Sequence, residues 1–116
     1  MQTVRIFTQD LDRMDRANGQ FAFTSDWKLP RKYAFSYFTD KDGEKAAEEC
    51  YRITNAPFDA LNEFEKHIAE LFRATKTMSL SVGDVVRVGD QMEYLCASEG
   101  WLSRRFAWSF CTVPIY

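Results

Sequence analysis

The fold of this chain is decided by the stretch Ser79-Leu-Ser-Val-Gly-Asp-Val-Val-Arg-Val-Gly-Asp-Gln-Met-Glu-Tyr-Leu-Cys-Ala-Ser-Glu-Gly-Trp101. Within it, residues 85–88 and 92–97 are two strand-forming runs, and Gly89-Asp90 between them reads as a two-residue loop able to adopt positive φ. The pattern predicts a hairpin in which residues 85–88 pair with residues 91–95. A two-residue loop fixes the register, and a slip by one residue would turn Tyr94 and Cys96 to the other face.

Three more segments alternate with the period of a β-strand. In residues 2–8, Val4 and Ile6 lie opposite Arg5 and Phe7. In residues 33–39, alternation predicts one face made of Tyr33, Phe35, Tyr37 and Thr39. Alternation over residues 101–111 places Leu102, Arg104, Phe106, Trp108 and Phe110 on one face, and Trp101, Ser103, Arg105, Ala107 and Ser109 on the other. The last three strands therefore form a meander that we expect to pair with the first two.

Two segments have the period of an amphipathic helix. Residues 44–55 carry the stripe Ala46, Ala47, Cys50 and Tyr51, and Asp42 is placed to cap this helix. Pro57 interrupts, and a second helix is predicted over residues 58–74 with the stripe Leu61, Phe64, Ile68, Leu71 and Phe72. Upstream, residues 9–20 suggest a short helix ended by Asn18-Gly19, and residues 20–30 a short strand or an ordered loop.

These elements predict one α+β domain spanning residues 1–116, an antiparallel sheet of four to five strands with two helices packed on one face. A chain of 116 residues that is 46% apolar can bury a single core. The N-terminal segment lacks the apolar run of a secretory leader, and no window approaches 18 apolar residues. We therefore expect a protein of the cytoplasm with no membrane association.

Charge is distributed unevenly along the chain. The whole chain has a net charge of −2, whereas residues 40–70 have a net charge of −5. Two interpretations remain open: ordinary solvated helix faces, or a surface that recognises a basic partner. The candidate acidic residues for partner binding are Glu44, Glu48, Glu49, Glu63 and Glu70.

The residue types that carry catalysis and metal binding are sparse. His67 is the single histidine, and Cys50, Cys96 and Cys111 form no close pair and no C-x-x-C motif. This spacing favours free buried thiols over a zinc site. Gly83 and Gly89 are spaced as turn glycines and form no phosphate-binding or dinucleotide-binding motif. We therefore expect no cofactor, no metal and no enzymatic activity, with a small enzyme built around His67 as the weaker alternative.

A nucleic-acid-binding sheet is a further alternative. Arg104, Arg105 and Arg87 alternate with Trp101 and Trp108 on neighbouring strands, and exposed aromatic and arginine side chains can stack on bases and contact phosphates. If the two helices cover one face of the sheet, only the opposite face, with Trp101, Arg105 and Arg87, remains accessible to nucleic acid. The overall charge gives no basic footprint, so direct binding of nucleic acid is the less favoured interpretation.

The sequences of two stretches resemble those of a known group of proteins. Residues 79–86 (Ser-Leu-Ser-Val-Gly-Asp-Val-Val) and 94–101 (Tyr-Leu-Cys-Ala-Ser-Glu-Gly-Trp) resemble small accessory proteins of bacteriophages, plasmids and other mobile elements. Upstream, Ala-Ala-Glu-Glu-Cys-Tyr at 46–51 and Asn-Ala-Pro at 55–57 look like the region that precedes the motif in those proteins. The resemblance covers residues 44–101.

That resemblance implies a function by association. Small proteins of mobile elements, including anti-CRISPR and antirestriction proteins, often act by stoichiometric binding to a host complex. We therefore expect an inhibitor of a host defence complex, a CRISPR effector for example. The channels of such effectors are positively charged, which suits the acidic helix face. Beyond the resemblance lie residues 102–116, and the alternative contact surface is this C-terminal strand, with Arg104, Arg105 and Trp108.

Overall fold

The structure is a computed structural model that describes residues 1–105. Its strands form one antiparallel sheet in the order β2-β1-β3-β4-β5. Both helices pack on one face of that sheet, which confirms the α+β fold expected from the sequence. The elements are β1 Gln2–Gln9, β2 Arg31–Thr39, α1 Gly43–Asn55, α2 Glu63–Ala74, β3 Val85–Val88, β4 Met92–Ala97 and β5 Gly100–Arg105. Within residues 1–105, neither helix has the length and apolarity needed to cross a membrane.

The first strand lies inside the sheet, between β2 and β3. As the alternation predicts, Val4 and Ile6 point to the helices, where both are almost fully buried. They pack with Ala46, Cys50 and Phe72 from the two helices in the main core. Phe7 points to the opposite face, so β1 contributes to the packing on both sides.

The β3–β4 hairpin has a register different from the predicted one. Val88 pairs with Met92, so the loop contains three residues, Gly89 to Gln91, and the two-residue turn predicted from Gly89-Asp90 is wrong. Gly89 takes a φ of 64°, as a three-residue loop requires at one position. Because of this register, Tyr94 pairs with Val86 beneath the helices.

The β2 strand carries an irregularity that the simple alternation missed. Ile6 pairs with Phe35 and Phe7 with Tyr33, which leaves Ala34 as an extra residue. Tyr33 is therefore turned to the face away from the helices, where its ring meets Phe7 edge to face with centroids 6.0 Å apart. The prediction that Tyr33 shares a face with Phe35 is wrong for this reason.

The two helices begin differently from what the sequence suggested. Asp42 occupies the N-cap position of α1, but its side chain accepts a hydrogen bond from Gln2 Nε2 at 2.9 Å and caps no helical N–H. The second helix begins at Glu63, because Asn62 forms a capping box with Glu65. Residues 58–60 form a separate short 3-10 turn, so a helix starting at residue 58 is wrong.

The stripe predicted for α2 is only partly buried. Ile68 and Phe72 are buried, whereas Phe64 and Leu71 are 44% and 48% exposed. Glu65 takes a buried position instead and pairs with Arg52 Nε at 3.1 Å. The buried side of α2 therefore includes a carboxylate that stabilises both the helix start and the contact with α1.

Residues 10–30 form no regular helix, contrary to the prediction for residues 9–20. They make two short 3-10 turns, and Gly19 ends the second in the left-handed conformation that the sequence predicted. Trp27 packs against Phe7, Val85 and Leu95 on the face opposite the helices. The loop thus closes a second, smaller core.

The Gly83-Asp84 dipeptide joins this loop to the sheet. Gly83 has a φ of 99°, and a Cβ there would lie 2.7 Å from the backbone oxygen of Thr24. Asp84 accepts hydrogen bonds from Gln9 N at 3.0 Å and from Ser81 N at 2.9 Å. Arg31 Nε donates to the Gly83 carbonyl at 2.9 Å, which links β2 to the same point.

The capping box of α2 gives a direct test of the fold. Asn62→Ala is expected to lower the free energy of unfolding by about 1 kcal/mol, because the backbone N–H of Glu65 loses its side-chain acceptor. Urea denaturation followed by circular dichroism measures the change. Asp42→Ala is the matched control and should cost less than about 0.5 kcal/mol, since Asp42 caps no N–H group of α1. Equal losses in the two variants would contradict the assignment.

Candidate functional site

The acidic residues singled out in the sequence fall on two separate helices. Glu44 and Glu48 are exposed one turn apart on α1, and Glu63 and Glu70 are exposed two turns apart on α2. Within residues 1–105, none of these four carboxylates forms an ion pair within 4 Å. These four residues are therefore available to a partner.

Glu49 does not belong to that surface. It is 6% exposed, accepts a hydrogen bond from the Tyr37 hydroxyl at 3.1 Å and lies 3.6 Å from Lys41 Nζ. Burial, with the neighbouring Cys50 and Glu49 adding to it, raises the pKa of Tyr37, so the hydroxyl remains a hydrogen-bond donor. The expectation that Glu49 contacts a partner is wrong, because its position in the helix turns it toward the core.

The acidic residues also do not form one continuous surface. Lys45 and Arg52 lie on the side of α1 that faces α2, and both line a recess of about 650 Å³ there. Arg52 pairs with the buried Glu65 of α2. Glu48 lines this recess as well, so the net charge of −5 is divided by basic side chains on α1 itself.

A recess of about 330 Å³ lies between α1 and the β4–β5 turn; we call it the α1 recess. Tyr51 and Trp101 form an edge-to-face pair there, with ring centroids 6.3 Å apart and ring planes at 87°. Tyr51 is 43% exposed, and Trp101 is partly buried against the main core. The lining residues are Glu48, Tyr51, Val82, Cys96, Ala97, Ser98, Gly100 and Trp101.

Glu44 extends the acidic character of this region along α1. Burial chiefly, and the charge of Glu44 in addition, raise the pKa of Tyr94. Glu44 is therefore close enough to the β4 strand to act on it electrostatically. Glu48 is the one acidic residue among the described residues that line the α1 recess.

Arg104 of β5 is held within the structure. Its Nε atom donates to Glu93 Oε1 at 2.9 Å, and its guanidinium carbon lies 4.0 Å from the centroid of the Trp27 ring. Glu93 also pairs with Arg87 at 3.2 Å and is 1% exposed. Arg87 itself is 3% exposed, so its expected openness is wrong. Arg104 therefore has stacking and ion-pair partners within the chain, while its side chain stays 39% exposed.

The other C-terminal candidates are distributed differently. Arg105 is exposed and donates to Gln91 Oε1 at 3.1 Å. Trp108 lies outside the described residues, as does the second half of the predicted strand 101–111. Trp101 lies on the helix side of the sheet, because it pairs with Cys96 and contacts Tyr51, so its expected place on the open face is wrong. The proposed nucleic-acid face of Trp101, Arg105 and Arg87 is not brought together.

The residues considered for catalysis, His67 and the described cysteines, are not arranged so that a base activates a thiol. His67 is exposed on the outer side of α2, whereas Cys50 is fully buried in the main core. Burial raises the pKa of both described thiols, that of Cys96 to about 11. Within residues 1–105, no cluster of three or more His, Cys, Asp or Glu side chains could hold a metal ion.

A third recess, of about 510 Å³, lies at the end of the sheet and was not foreseen from the sequence. Leu11, Phe23, Tyr33 and Met78 surround it, and each is 49% exposed or more. Phe23 has a φ of 60°. The sequence contains little indication of this recess, because isolated apolar residues in a loop give no periodic pattern. This recess could accept an apolar side chain but carries no charge pattern that identifies a ligand.

Comparison with protein-family models, with curated proteins and with solved structures finds no match for this chain. The choice among these three recesses therefore depends on geometry and charge. The α1 recess combines an aromatic pair with the exposed carboxylate of Glu48, which is the composition of an anchor site with a polar rim. It is the candidate functional site.

The buried carboxylate of Glu93 provides a test of the arginine assignments. Glu93→Gln is expected to lower the free energy of unfolding by about 3 kcal/mol, because it removes the shared charge partner of Arg87 and Arg104. Denaturant titration measures this loss. Glu99→Gln, at the exposed β4–β5 turn, should stay within about 0.5 kcal/mol of the parent. A change of similar size in both variants would contradict the buried network.

The raised pKa of Cys96 predicts low thiol reactivity. Iodoacetamide should modify Cys96 at pH 8 at least about ten-fold more slowly than it modifies N-acetylcysteine, because the thiolate is the nucleophile and is scarce. Mass spectrometry of the digested protein resolves Cys96 from the other thiols. The rate should rise nearly ten-fold between pH 8.5 and 9.5, whereas a rise of less than about four-fold would show an ordinary cysteine. In urea, Cys96 should react like the free thiol.

Proposed function

We propose that this protein is a non-enzymatic, stoichiometric inhibitor that binds a host defence complex in the bacterial cytoplasm, in the manner of an anti-CRISPR protein. The observation that carries the proposal is the exposed carboxylate of Glu48 in the recess lined by the aromatic pair Tyr51 and Trp101, with Glu44 exposed one turn before it on α1. A few aromatic anchors within a polar rim supply most of the energy of a protein interface. Carboxylates at the rim speed encounter with a basic partner.

The choice of partner is supported by the resemblance of residues 44–101 to proteins of mobile elements. Effectors of RNA-guided defence hold nucleic acid in positively charged channels. An acidic, aromatic surface can occupy part of such a channel and prevent nucleic acid from entering it. One bound inhibitor then disables one effector, which is a stoichiometric mode of action.

Binding rather than catalysis is supported by the state of the thiols. A cysteine nucleophile needs a thiolate next to a base, whereas Cys50 is buried in the core and Cys96 has a pKa of about 11. His67 is on the solvent side of α2. These positions give the described thiols and imidazole no shared site in which a proton could be transferred.

A charge-reversal experiment tests the proposed surface. The assay measures DNA cleavage by purified RNA-guided effectors of several types as the protein is titrated against each. We expect at least one effector to be inhibited with an end point near one inhibitor per complex. Glu44→Lys with Glu48→Lys should weaken that inhibition about five-fold or more in low salt and less in high salt, because exposed charges are screened.

The chain offers a control with the same change in net charge. Glu63→Lys with Glu70→Lys reverses two exposed carboxylates on α2, away from the α1 recess. This variant should inhibit within about two-fold of the parent. Equal weakening by both double variants would mean that overall charge matters and the α1 surface does not. No inhibition of any effector tested would contradict the anti-CRISPR assignment.

A further inference from the structure

The α1 recess has the walls of a site for a cation. The Tyr51 and Trp101 rings stand nearly perpendicular to each other, with centroids 6.3 Å apart, and both line the cavity. The face of an indole or phenol ring attracts a positive charge through its quadrupole. In an edge-to-face pair the edge of one ring covers a face of the other, so a flat cationic group would stack on a ring face that is open to the recess.

A carboxylate completes these walls. Glu48 lines the recess, and within residues 1–105 it forms no hydrogen bond or ion pair. None of the residues that line the recess is a lysine or an arginine. The lining of the α1 recess thus combines one carboxylate with aromatic surface. Glu48 also borders the neighbouring recess that contains Lys45 and Arg52, but it forms no ion pair with either residue.

Elsewhere in the same chain, an arginine side chain contacts both an indole ring and a carboxylate. On the other face of the sheet, the Arg104 guanidinium lies 4.0 Å from the centroid of the Trp27 ring. Its Nε atom also donates to Glu93 Oε1 at 2.9 Å. The α1 recess contains the same residue types, an indole from Trp101 and a carboxylate from Glu48, and no arginine is among its described lining residues.

We propose that the α1 recess binds an arginine side chain supplied by the partner. This inference deepens the proposed function and depends on it only in that the arginine comes from another protein. Arginine is favoured over lysine because its planar guanidinium stacks on aromatic rings and pairs with a carboxylate through two parallel N–H groups. Lysine is a more strongly hydrated point charge and gains less from the rings.

The test uses N-acetyl-arginine-N-methylamide as a probe and ¹⁵N-labelled protein. Its uncharged isostere, N-acetyl-citrulline-N-methylamide, is the matched control at the same ionic strength. We expect the arginine probe to shift the Trp101 indole N–H and the Gly100 amide resonances along a saturable curve. The citrulline probe should produce a shift at least five-fold smaller. The Trp101 indole signal is assigned by its loss in Trp101→Phe.

Two variants connect the effect to the recess. Glu48→Gln keeps the shape of an exposed side chain, and Tyr51→Leu removes one aromatic wall from a side chain that is already 43% exposed. Each should weaken arginine binding at least three-fold, whereas Glu63→Gln on α2 should leave it unchanged. The dispersion of the amide spectrum shows that each variant is folded. If Tyr51→Leu does not fold, Glu48→Gln alone decides.

Three results would overturn the inference: equal shifts with arginine and citrulline, undiminished arginine binding in Glu48→Gln, or equal affinity for the corresponding lysine probe. The probe experiment contains no defence complex, so it fails or succeeds separately from the proposed function. Arginine binding without inhibition of any effector would keep the recess assignment and reject the proposed partner. Inhibition without arginine binding would keep the partner and reject this recess.

Discussion

A four-residue ladder between β1 and β3 holds the two ends of this fold together. It pairs residues 4–7 with residues 85–88, some eighty positions along the chain, and joins the β1–β2 pair to the β3–β4–β5 meander. The helices lie between these two units in the sequence, so they must pack over the face that Val4 and Ile6 present. That packing brings α1 alongside β4 and β5 and so creates the α1 recess.

The periodicity of apolar residues was sufficient to predict most strands, the two helices and the fold class. Alternation in residues 2–8 and helical spacing in residues 44–55 reflect directly which side chains are buried. The same periodicity was not sufficient to predict the register, that is, which residues pair between neighbouring strands. A loop of two and a loop of three residues are both compatible with Gly89, and only the contacts of Val86 and Tyr94 with the helices select the latter. The extra residue at Ala34 is likewise selected by pairing with β1, which the sequence of β2 alone does not contain.

The candidate site was predictable in part, for a similar reason. Exposure of Glu44 and Glu48 follows from their positions on α1, opposite its apolar stripe. Glu49 is adjacent in sequence yet buried, because Tyr37 and Lys41 from outside the helix compensate its carboxylate. The Tyr51–Trp101 pair joins residues fifty positions apart, and no local pattern encodes such a contact.

The Gly83-Asp84 dipeptide has a consequence for how such a chain can diverge. A side chain at position 83 would collide with the backbone of Thr24, and a change of Asp84 would leave N–H groups of Gln9 and Ser81 without their acceptor. Descendants that keep the sheet must therefore keep this pair, whatever they bind. Exposed Glu48 carries no comparable restriction, so mutation there can follow a changing target while the architecture is inherited intact.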